Sequence, residues 1–178
     1  MHIPSMPSWE SLHPLVIHFP IVLLLLSPMF VLVSALLSPL RSRPYMIVGL
    51  VLLTAGTASL WLAAETGEAA AEIADRTQEI NAVILAHEHL ASQTRLIFSA
   101  LTLVLGGIFV LPHFLRRPVT RVHSTILPLV FVAIYSLGAV ALVNTAHEGG
   151  RLVHQFGVHA MMPAQNTVPD RISEKGAE

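Results

Sequence analysis

Four long apolar stretches dominate the chain, and one acidic, polar stretch divides them two and two. The first runs from Pro14 to Leu37, the second from Tyr45 to Ala64, the third from about Leu96 to Leu115 and the fourth from about Ser124 to Ala146. Each approaches the ~20 uncharged residues that a helix needs to cross a bilayer. Between the second and third, Glu65 to Arg95 turns acidic but keeps a helical pattern. Ile73, Thr77, Ile80, Ile84, His87 and Ala91 recur at spacings of four and three, while Glu72, Asp75, Arg76, Glu79 and Glu88 fall mostly elsewhere. This segment is expected to be an amphipathic extension outside the bilayer that runs into the third membrane helix. The expected architecture is all-α: an up-down four-helix membrane bundle over 13–160, with an outer segment 1–12 before it and a disordered polar tail 161–178 after it.

Prolines punctuate these helices. Pro14 suits a first helical turn, where its missing N–H costs nothing, so His13 is expected near the N-cap. Pro20 and Pro28 should bend or loosen the first helix, which neighbours in a membrane tolerate. Ser38 to Pro44 reads as a short proline-bounded loop, and Arg116 to Arg121 as a second basic loop. No Lys or Arg precedes the first apolar run, so it is expected to be a retained helix and not a cleaved signal.

Charge adds orientation. The two short loops hold five of the ten basic residues and no acid, and all eleven acidic residues lie in the amino-terminal segment, the long middle segment or the carboxyl-terminal tail. By the positive-inside rule the short loops are expected in the cytoplasm and both termini outside, in the periplasm. Composition agrees with a bilayer environment: 53% of residues are hydrophobic, 12% are charged and mean hydropathy is +0.67. A net charge of -1 without a basic stripe offers nothing to nucleic acid. Cysteine is absent, which excludes disulfides, thiolate metal sites, iron–sulfur clusters and covalently attached haem.

Ten histidines therefore carry almost all the transition-metal ligand capacity. With the orientation above, His13, His18, His87, His89, His147, His154 and His159 gather at the outer end, with His2 in the leading segment. His113 and His123 flank the cytoplasmic basic loop and read as interfacial. One histidine at a membrane interface or helix end is ordinary. Seven at one end, from helices one, three and four, point to a metal or cofactor.

A rise of 1.5 Å per residue puts His18 roughly 6 Å into its helix, with His147 at comparable depth. It puts His87 roughly 12 Å above Arg95, and His154 about 10 Å above His147 on the same face if the helix continues through Gly149-Gly150. The expected pairs are His18 with His147, deeper, and His87 with His154, above, with His13 and His159 as substitutes for the upper pair. His13 and His18 are about 140° apart around a helix and cannot readily serve one site, while His89 points about 200° away from His87. Helix two brings Ala63, Ala64, Thr66 and Gly67, a smooth wall for a flat ligand.

Imidazoles from facing helices are the usual means of holding non-covalent haem, so one or two bis-histidine haem b groups are expected. Gly149-Gly150 would let a flat ring approach, or would end the helix. The rival is a bare Zn, Cu or Fe ion on His18, His147, His87 or His154 with help from Glu65, Glu88 or Glu148. Glu88 is expected to point away from the His87 face.

His13-Pro14 with His18-Phe19-Pro20, Thr66-Gly67 after helix two, His87 before helix three, and His147, Gly149-Gly150 and Leu152-Val153 after helix four form one set of motifs. Over about residues 12 to 160 the chain resembles the bacterial membrane-protein family catalogued as domain of unknown function 2231. It departs from that pattern at His154, where an aromatic residue is expected, and at His159, where a Gly-Val-Gly-Val run would end. The resemblance implies a multi-pass bacterial inner-membrane protein and marks motif positions, without an established activity.

The function expected from the histidines is a b-type cytochrome subunit, more an electron-transfer subunit than a stand-alone enzyme. It would relay electrons between a quinol or membrane partner and a periplasmic redox subunit. Bis-histidine ligation leaves no open iron position, and no residue is named as a catalytic acid or base. The alternatives are a metal-binding membrane protein and a haem-free structural accessory subunit of a larger respiratory complex. Few polar residues lie within the helices (Thr54, Thr57, Thr102 and Asn144), which argues against an ion path.

Overall fold

The computed structural model describes residues 8–74, 76–116 and 120–158, the side chains of Leu40 and His113 apart. A 3-10 turn, Trp9–Leu12, leads into α1 (His13–Val16) and, past Ile17, into α2 (His18–Leu36). Then come α3 (Pro39–Glu72), α4 (Gln78–Phe114), a π-helical turn over Val122–Ile126, and α5 (Leu127–His154). Among the described residues four helical stretches are long and apolar enough to cross a membrane: Trp9–Leu36, Arg41–Glu72, Gln78–Pro112 and Val122–His154. The all-α four-helix architecture is the one expected. The tail from 159 onward, including His159, lies outside the described residues.

Two boundaries differ from expectation. The Ser38–Pro44 loop shrinks to Leu37 and Ser38, because Ser38 is extended (φ -63, ψ 152) and Pro39 starts α3 where a missing N–H costs nothing. Pro39 opens α3 and Pro44 lies inside it, so no loop runs between them. The acidic segment is also not one helix. Glu65 to Glu72 prolong α3, which ends at Glu72, and α4 begins only at Gln78. Side chains hold that break. Arg76 donates to the Ala71 carbonyl at 2.9 Å, closing the end of α3. Thr77 Oγ1 accepts from the Ile80 N–H at 3.3 Å, and Glu79 lies in the first turn of α4. The apolar period survives the break, but these terminal bonds set the chain's course.

α2 packs along α3 and α4 along α5; α3 against α4 and α2 against α5 close the ring, so α2/α4 and α3/α5 sit across its diagonals. Leu24, Val31, Leu53, Phe98, Leu105, Phe131, Tyr135 and Leu142 fill the centre, and most other large apolar side chains face outward. In lipid, burying them gains little, so close approach and hydrogen bonds must hold the helices together. Gly56 lets α3 come against Leu24, and Gly138 lets α5 come against Leu101 and Ile97. Tyr135 Oη donates to the Leu24 carbonyl at 2.6 Å, and Thr57 Oγ1 donates to the Phe98 carbonyl at 3.4 Å. Each of these bonds ties one hairpin to the other.

The α2–α3 and α4–α5 hairpins correspond residue by residue. Shifting the first helix by 74 positions and α3 by 82 superposes buried position on buried position: Leu24 on Phe98, Val31 on Leu105, Ser42 on Ser124, Leu53 on Tyr135 and Gly56 on Gly138. The helix order around the ring is the one a two-fold axis along the bundle would generate.

Candidate functional site

At the end of the bundle that holds α1, the end of α3, the start of α4 and the end of α5 lies a cavity of about 260 Å³. Its lining follows the same correspondence. Ile17, Pro20 and Ile21 answer Ala91, Thr94 and Arg95, and Leu60, Ala64 and Gly67 answer Leu142, Ala146 and Gly149. The walls are largely apolar and small.

His13 and His87 enter it as counterparts. His13 Nδ1–H donates to the Ala63 carbonyl at 2.9 Å, with Thr66 Oγ1 at 3.2 Å. His87 Nδ1–H donates to the Thr145 carbonyl at 3.0 Å. Ala63 and Thr145 are themselves counterparts. A carbonyl only accepts, so in each neutral ring the proton is fixed on Nδ1 and the Nε2 lone pair is left free. Neither Nε2 has a hydrogen-bond partner among the described residues. This is the arrangement that metal-ligating histidines use: one nitrogen anchored, the other presented. Both rings line the same cavity.

Glycine makes room for both. A Cβ at Gly67 would lie 2.9 Å from His13 Cε1, and one at Gly149 would lie 3.0 Å from His87 Cε1. Each glycine sits one helical turn beyond the carbonyl that its histidine holds. Gly149 thus accommodates an imidazole, while Gly150 faces open space and α5 runs on to His154.

The other expected ligands lie elsewhere. His18, His147 and His154 are exposed and do not line the cavity, and His89 is exposed as well. The structure therefore does not bring His18 and His147 together at this site, nor His87 and His154. Packing register is the reason. Ile17, Pro20, Ile21 and Leu24 define the inward face of the first helix, and His18 lies 100° past Ile17. On α5 the inward face carries Tyr135, Gly138, Leu142, Thr145 and Gly149. His147 and His154 share a face as their spacing requires, but it is the outer one.

Glu88, expected to point away, lines the cavity. Glu65 is exposed, and Glu148 pairs with Arg151 at 2.9 Å. Among the described residues no three histidine, aspartate or glutamate side chains converge as an ion site would need. His123 bonds Thr120 at 2.9 Å at the opposite end of the bundle.

Thr145, Arg95 and Glu68 line the cavity without having been among the expected site residues. The signal for Thr145 was present: a histidine in one helix matched to a glycine in the next occurs twice, as His13 with Gly67 and His87 with Gly149. Chemically, the site offers two pre-oriented neutral imidazoles from diagonal helices inside an apolar chamber. Two protein donors suffice for a macrocycle that brings its own in-plane nitrogens.

Residues 10–162 match the family described as "Predicted membrane protein (DUF2231)". No curated protein and no solved structure matches the chain.

Proposed function

The chain belongs to the DUF2231 family of predicted membrane proteins, and we propose that it is a b-type cytochrome subunit holding one haem between His13 and His87. One observation carries this reading. Each imidazole anchors its Nδ1–H on a backbone carbonyl of the neighbouring helix and keeps Nε2 free, in matched positions across the pseudo-two-fold axis. The donor set fits haem: two imidazoles, apolar walls, and small side chains at Ala63, Ala64, Ala91 and Ala146 where a flat ring needs space. Held by His13 and His87, haem would supply a one-electron iron couple suited to electron transfer more than to oxygen chemistry.

The chain's own part is to orient and to exclude water. Ala63 and Thr145 fix the tautomers and aim the rings, and Thr66, fully buried, steadies His13 from the side. Leu60 and Leu142 close the inner floor. In the inner membrane of a bacterium, with both termini periplasmic by the positive-inside rule, this cavity opens near the outer surface. That position suits exchange of electrons between a membrane donor, such as a quinol, and a periplasmic redox subunit.

The test is to purify the protein from membranes, record oxidised and dithionite-reduced spectra, and measure metals on the same sample. A sharpened reduced α band with one iron per chain is the expected result. Stoichiometric zinc or copper without a porphyrin spectrum would overturn the haem assignment, and so would a sample carrying neither.

A further inference from the structure

The two halves of the cavity match in their histidines and differ in charge. Arg95 and Glu68 occupy positions whose counterparts are Ile21 and Gly150, so the fold does not require an ion pair there. Arg95 is unusual in its partners. Its Nε is buried and makes no hydrogen bond, and its guanidinium lies 4.8 Å from the Trp61 ring centroid. Its ion pair with Glu68 is long, 3.7 Å, and Glu68 is more than half exposed. A guanidinium in an apolar wall with an unused donor is costly unless something else completes its bonding. Although Arg95 lies two turns along α4 from His87, it reaches back to Glu68, the residue after the glycine that seats His13. Its charge is therefore held near the level of the imidazoles, in the α3–α4 gap. The counterpart positions toward the opposite gap, between α2 and α5, are the uncharged Ile21 and Gly150.

We propose that Arg95 binds a carboxylate of the ligand in this cavity, so that haem enters in one orientation with a propionate toward the α3–α4 gap. This rests on the haem reading above. Arg95 is a positioning residue: it offers a charge-assisted hydrogen bond to the side chain of the ring and leaves the iron to His13 and His87. Glu68, on the exposed rim, releases the guanidinium when the carboxylate arrives.

The experiment uses the full-length chain in detergent, stripped of haem and titrated with iron protoporphyrin IX or with its dimethyl ester, which lacks the carboxylates. Soret absorbance gives the affinity, and the reduced spectrum reports axial ligation. The wild-type chain should prefer the free acid by about tenfold to a hundredfold. Arg95→Gln should lose that preference while binding the ester as the wild type does, with an unchanged bis-imidazole spectrum; the ester titration thereby reports an intact cavity. Equal wild-type affinity for the two porphyrins overturns the inference and leaves the haem reading standing, as does a preference that survives in Arg95→Gln. Loss of ester binding in that variant also overturns it, since Arg95 would then be structural. A wild-type chain that takes up neither porphyrin overturns both.

Discussion

The two hairpins bring the cavity the same anchored imidazole, the same facing glycine and the same carbonyl one turn before it, but only the second brings a cation. What they share sets the positions of two imidazoles across the axis. Where they part, at Arg95 against Ile21 and Glu68 against Gly150, the site acquires a direction. A pair of equivalent ligands could hold a ring in either of two senses, and a single cation on one side, Arg95, is enough to choose between them.

The severest break in the shared part is removal of an imidazole. His13→Ala and His87→Ala should each lower haem affinity by at least about a hundredfold, and to a similar degree, because in the proposed site each would supply one of the two protein ligands. A large loss from one with no loss from the other would mean that the halves are not functionally equivalent. The exposed histidines give the contrast: His18→Ala and His147→Ala should leave haem content unchanged by the same pyridine-haemochrome measurement.

A gentler break leaves the ligands and crowds them. Gly67→Ala and Gly149→Ala place a methyl within 2.9 and 3.0 Å of the ring atoms of His13 and His87, so each should weaken haem binding roughly tenfold and shift the Soret band. Away from the site, Gly56→Ala and Gly138→Ala should cost about 1–3 kcal/mol of stability by overpacking against Leu24 and Leu101, read as a lower Tm with the α band unchanged. Gly150→Ala should have the smallest effect. Its Cβ meets open space, and replacing a mid-helix glycine should raise helix stability by up to ~1 kcal/mol.

Hydropathy made the four membrane helices and their up-down order legible, since ~20-residue apolar runs have few other uses. Boundaries were harder: the prolines of Ser38–Pro44 read as a loop until Pro39 proved to be a helix start, and the apolar period ran straight across the break between α3 and α4. The end of the bundle that holds the cavity was legible from the distribution of histidines, and so were the cavity-lining His87 and the small wall of α3. Choosing between His13 and His18 was not possible from periodicity. A helix that is apolar all round gives no stripe to say which face is inward, and the inward face of α2 is set by Gly56 meeting Leu24. His147 and His154 misled for the same reason, because a seven-residue spacing gives a common face without saying which one.

The most direct test of the central claim is to exchange one axial candidate for methionine and measure the haem's reduction potential. His13→Met and His87→Met should each raise the potential relative to the wild type and change the bis-imidazole spectrum, because histidine–methionine ligation favours ferrous iron. His18→Met and His147→Met should do neither. A shifted potential in His18→Met or His147→Met, with His13→Met and His87→Met unchanged, would contradict the assignment of the axial ligands.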